Sequence, residues 1–232
     1  MKHVVLKTTL FVLALLLAAP SYGGGGDLPS EFERGAPLSS AQQETFLKRL
    51  EEVRSAVQTL DAAFKEVRTV PPLDRELRYE GRLYYNAQGI FFMDYRKPVR
   101  HILRITPTEV VSYVEGSPTA DVMDISSVEE GKSHPDLFGW GGKEFQGKVW
   151  ETPTTYIMER AVDESESDSG SPRAMIFLDK ERLLPAEIRI TNDSGDRTII
   201  LLSDIHMNRA LPPYVTGFSL PEDVKENRIG PQ

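Results

Sequence analysis

Beyond the N-terminal leader the sequence carries three histidines, His101, His134 and His206. Their surroundings read as a strand, a loop and a strand end. No two stand at the H-x-x-x-H spacing that sets metal ligands on one helix face. The chain has zero cysteines. That removes thiolate nucleophiles, thiolate metal ligands and disulfide staples together. There is no G-x-S-x-G elbow and no glycine-rich phosphate loop. Asp and Glu total 35, but no spacing singles out an acid/base pair. Asp204-Ile205-His206 reads as a polar strand end. No enzyme activity, catalytic residue, metal or cofactor is expected.

What stands out is the kind of apolar residue on the strand-like segments. Tyr79, Tyr85, Phe91, Met93, Tyr95, Tyr113, Met123, Trp150, Tyr156, Met158, Met175 and Phe177 recur there. A packed core accounts for most of them. Methionine and aromatic side chains also line adaptable apolar pockets, because a thioether refits around varied ligands. Composition alone leaves both readings open.

These residues need elements to position them. Phe46, Leu50, Val53, Val57, Leu60, Phe64 and Val67 step by four and three in turn. That spacing predicts one amphipathic helix with a single apolar stripe. Ser40 and Gln43 fit a capping box, which starts the helix near Ala41. Pro71-Pro72 ends it soon after Val67. Glu51, Glu52, Arg54, Gln58, Asp61, Lys65 and Glu66 fall off the stripe, where they stay wet. The stripe also fits a coiled-coil dimer, but it covers barely the minimum of about three heptads. Packing on a sheet is the expected outcome.

After the helix the pattern alternates. Ten strands are predicted, at residues 77–85, 90–95, 99–106, 110–115, 121–125, 148–151, 154–161, 173–179, 186–191 and 197–205. Their connections are short, as in an antiparallel meander. No helix–strand alternation supports a parallel sheet. The expected fold is α+β: a strongly curved antiparallel sheet, or unclosed β-barrel, with the long N-terminal helix on its concave face. Residues 129–142 contain Leu137, Phe138 and Trp140 among glycines, and read as a pinned surface loop or a movable lid of short helices. Residues 163–171 are acidic and serine-rich and read as an exposed hairpin loop; the ligand alternation of a calcium loop is missing.

Net charge is −8 over 232 residues, which argues against nucleic acid and against an anionic membrane surface as partners. Residues 1–23 read as a signal peptide: Lys2 and Lys7, then an apolar run too short to span a bilayer, then small residues. Cleavage after Ala19 or after Gly23 is compatible with the sequence. The glycine run and prolines of residues 24–39 read as a flexible leader.

The order of motifs resembles the LolA/LolB-type lipoprotein carriers of the bacterial envelope. The helix leads into Asp61-Ala62-Ala63-Phe64. Gly81-Arg82-Leu83 follows, then the aromatic run Phe91-Phe92-Met93-Asp94-Tyr95-Arg96-Lys97-Pro98. A late strand–turn–strand leads to Asp204-Ile205, Asn208 and Phe218-Ser219-Leu220-Pro221. The turn 86–89 lacks the Arg-Pro that the family places before its aromatic strand. The resemblance implies a LolA-like unclosed barrel over residues 40–232, with lid helices over its mouth. It implies a periplasmic monomer that takes acyl chains of lipoproteins or other lipids, receives them from an inner-membrane release complex and passes them to an outer-membrane receptor. The absence of cysteine is closer to the soluble carrier than to the lipid-anchored receptor. Phe64, Leu83, Tyr85, Phe91, Met93, Tyr95, Met123, Met158 and Phe177 are the candidate lining, and Leu137, Phe138 and Trp140 the candidate lid. The alternative is an envelope sensor or interaction module of the same fold, with the acidic loop as its docking site.

Overall fold

A computed structural model of the protein describes residues 35–70, 75–126, 145, 147–160, 173–192 and 195–229. Residues 1–34, the lid candidates Leu137, Phe138 and Trp140, and the acidic run 163–171 lie outside the described residues.

The described chain begins with a short strand, β1 (Ala36–Pro37), and one helix, α1 (Ser40–Ala56). A meander follows: β2 (Thr59–Val70), β3 (Arg75–Asn86), β4 (Ile90–Lys97), β5 (His101–Ile105), β6 (Glu109–Val114) and β7 (Thr119–Asp124). A second run comprises β8 (Gly147–Glu151), β9 (Thr155–Arg160), β10 (Arg173–Asp179), β11 (Pro185–Thr191) and β12 (Arg197–Met207). The four-residue helix α2 (Pro213–Thr216) and β13 (Lys225–Ile229) come last. The thirteen described strands form one sheet, in the order β1-β8-β9-β10-β11-β12-β2-β3-β4-β5-β6-β7-β13. Its pairs are antiparallel except β13 with β7. The two outermost strands do not pair with each other, so the barrel stays unclosed.

All ten predicted strands are present, and three more join them. The largest correction concerns the helix. It stops at Ala56, and Leu60, Phe64 and Val67 belong to β2. A spacing of four fits one helical turn, but it also fits two steps of strand alternation. Ala62 is buried between Leu60 and Phe64, which fixes the period at two. The alternation then continues through two buried charges, Glu66 and Arg68. Glu66 is thus not a wet side chain. The cap sits one residue early: Ser39 is the N-cap, and its N–H donates to Gln42 Oε1 at 3.0 Å. Gln43 instead donates to the Gly147 carbonyl at 3.2 Å. The leader is structured at its end, because Ala36 and Pro37 pair with Glu151 and Trp150. Gly35 lies so close to the Glu151 carbonyl oxygen that a Cβ there would stand 1.8 Å from it, so only glycine fits.

Alternation divides the sheet into two faces. Leu60, Ala62, Phe64, Leu83, Met93, Leu103, Ile105, Met158 and Ile176 share the inner cluster, and α1 adds Phe46 and Leu50. On the outer face, Tyr84, Phe92 and Ile102 are covered by Val215, Leu211 and Phe218 from the C-terminal segment. Tyr84 and Tyr214 share a hydroxyl–hydroxyl bond of 2.8 Å. Trp150, Ile157 and Phe177 form a separate cluster.

Candidate apolar binding face

The inner face is apolar over most of its extent because β2, β3, β4, β5, β9 and β10 each point alternate large side chains the same way. Of the sequence-predicted lining, Phe64, Leu83, Phe91, Met93, Tyr95, Met123 and Met158 all lie in this one buried cluster. Tyr85 packs against it, partly buried. Phe177 does not belong. It sits with Trp150 and Ile157, and the Arg189 guanidinium lies over its ring at 4.7 Å. The register explains this: Ile176 pairs with Met158 and faces inward, so the next residue faces the other way.

Gly81 is the point of closest approach within the face. A Cβ there would lie 2.1 Å from the Asp94 carbonyl oxygen and 2.8 Å from the Phe64 ring. The missing side chain lets Phe64 lie across β3 and meet Tyr95 edge-on, with centroids 5.0 Å apart.

The described cover is α1. It contributes two buried side chains, Phe46 and Leu50, while Leu47 and Val53 are partly buried against the cluster. Phe46 meets Tyr156 of β9 at 4.6 Å between centroids. Beside that contact a cleft of about 420 Å³ opens between α1 and the edge strands, lined by Leu38, Thr45, Phe46, Arg49, Glu151 and Tyr156 among others. Elsewhere the inner face is filled by its own side chains: Leu60, Leu83, Met93, Tyr95 and Leu103 are all at most 1% exposed.

One end of the apolar face is charged, which the sequence reading missed. Glu66 and Arg68 form an ion pair through Arg68 Nε, with side chains 0% and 3% exposed. The Tyr95 hydroxyl donates to the other Glu66 oxygen at 2.9 Å. Tyr79 lies under the Arg68 guanidinium at 4.9 Å. Tyr95 stacks on His101, centroids 5.1 Å apart and planes 17° apart. His101 Nε2 bonds to Ser112 Oγ at 2.9 Å. Burial works against the Arg68 charge, but the Glu66 carboxylate outweighs it and raises its pKa, so Arg68 stays a cation. Burial, then Glu66, pushes the Tyr95 hydroxyl far above the usual tyrosine range, so it stays a neutral donor. Burial and the Arg68 charge lower His101 to about 4. Arg68 Nη1 and Nη2 and His101 Nδ1 have no hydrogen-bond partner among the described residues. The available signal was the alternation itself: Leu60, Ala62 and Phe64 point inward, so Glu66 and Arg68 must follow.

No protein-family model and no curated protein matches the sequence. The chain is similar to several solved structures at low identity. An uncharacterised conserved protein of Thermus thermophilus matches at 14% identity and TM-score 0.48, over 82% of this chain and 100% of that one. A LolA superfamily protein of Nitrosomonas europaea matches at 10% identity and TM-score 0.42, over 74% and 96%. The Mycobacterium tuberculosis lipoprotein LppX matches at 9% identity and TM-score 0.42, over 75% and 100%.

Proposed function

We propose that this protein binds the acyl chain of a lipid or an acylated lipoprotein on its apolar inner face and carries it through the bacterial envelope. The observation that carries the reading is a continuous apolar inner face whose described cover holds on by two buried side chains. Exposing Phe46 and Leu50 costs about 1.5–3 kcal/mol each. An acyl chain gains about 0.8 kcal/mol per methylene on leaving water, so roughly four to eight methylenes offset lifting the helix. Transfer from a bilayer exchanges one apolar medium for another, so the net change is small. A carrier therefore needs a matched apolar surface and a cover that yields, and no covalent step.

The order of the motifs around Phe64, Gly81, Phe91 and Phe218 supports the same reading. The N-terminal leader supports a periplasmic location, and the family resemblance supports a release complex and an outer-membrane receptor as partners. The test is titration of delipidated protein with a fluorescent fatty-acyl probe. Saturable binding is expected, with competition by unlabelled acyl chains. No saturable binding overturns the proposal.

A further inference from the structure

We infer that the Arg68 guanidinium receives the anionic head of a single-chain amphiphile, a fatty-acid carboxylate, whose tail lies along the inner face towards Phe64 and Leu60 once α1 is lifted. The inference rests on the acyl-binding reading and names the ligand class within it.

Three observations lead there. First, Arg68 is 2% exposed, and its Nη1 and Nη2 have no hydrogen-bond partner among the described residues. A buried guanidinium with two bare donors is unusual, because buried polar groups are almost always paired. Second, the groups around that buried edge spend their hydrogen bonds elsewhere. Glu66 is held by the Nε side and by the Tyr95 hydroxyl. Tyr79 supports one face of the guanidinium plane. The Nη1–Nη2 edge is a planar fork, which fits the two oxygens of a carboxylate. His101, near enough for the Arg68 charge to act on it, leaves its Nδ1 unpartnered as well. Third, the polarity is ordered along the strand. From Arg68 to Leu60, β2 runs eight residues, about 26 Å at the usual rise. The side chains turned inward along it pass from charged to wholly apolar. That length exceeds the roughly 15 Å that one leaflet's tails span.

The experiment compares hexadecanoic acid, its methyl ester and hexadecanol by competition against the fluorescent probe. Wild-type protein is expected to bind the acid about tenfold or more tightly than either neutral analogue. In Arg68→Met the acid loses its preference over the ester and the alcohol. Equal affinity for all three in the wild type overturns this inference and leaves the acyl-binding reading intact. Binding of none overturns both. If Arg68→Met fails to fold, the wild-type complex decides through carboxyl-¹³C-labelled acid. Its resonance is expected to hold the carboxylate position down to about pH 3.5, because the guanidinium favours the ionised head. A resonance that titrates at about pH 4 to 5, as a solvent-exposed carboxyl does, or higher, overturns the inference.

Discussion

At the residue scale, the unusual feature is a buried polar group set against a greasy surface. His101 is 7% exposed and its pKa is lowered from 6.5 to about 4, by burial first and by Arg68 second. Between those two values the unfolded chain binds a proton that the folded chain refuses. Stability is therefore highest above about pH 6.5 and falls as acid is added, by about 3 kcal/mol by pH 4. Below that both states are protonated and the slope ends. Urea titrations at stepped pH should show this decline, and His101→Gln should flatten it. A wild-type profile that stays level between pH 6.5 and 4 would contradict the assignment. The pair beside it, Glu66 and Arg68, was illegible in the sequence for a simple reason. Charged side chains read as surface, and only the positions of Leu60, Ala62 and Phe64 reveal which way they point.

At the element scale, α1 and β2 divide the labour that one helix was predicted to perform. α1 (Ser40–Ala56) leans on the sheet through Phe46 and Leu50, whereas β2 is bonded to β3 on one side and β12 on the other along most of its length. Local opening should separate them. Hydrogen exchange is expected to release the amides of α1 well before those of β2 and β3, and acyl-probe binding should widen the gap by lifting the helix. Equal protection in α1 and β2 would mean that the cover does not open independently. The strands were legible because turns such as 86–89 and 192–196 interrupt clean alternation. Three elements were not. β2 hid inside a helical spacing, β1 is two residues long, and β13 is charged and fully exposed. Of the lining, the inward residues of β3 and β4 were readable from alternation alone. Phe177 was misplaced because Met175 and Phe177 mimic an inner face, and only the pairing of Ile176 with Met158 settles the direction.

At the scale of the whole molecule, both borders of the sheet are made by the ends of the described chain, β1 beside β8 and β13 beside β7. Exposed strand edges invite pairing between molecules. β13 carries Lys225, Glu226 and Arg228, which make its outer edge a poor template. Removing residues 225–232 uncovers β7 and should produce concentration-dependent self-association in light scattering; a truncated protein that stays monodisperse would count against a guarding role for β13. The middle of the sheet carries a different consequence. β12 is stitched to β2, and Gln58 donates to the Asn208 side chain across 150 residues of sequence. The two half-sheets therefore join only where β12 meets β2, and their shared apolar face is complete only when nearly the whole polypeptide is present. Contacts this remote are slow to form because a long loop must close first. An apolar lining completed last stays open to water, and to sticky neighbours, until the final strands arrive.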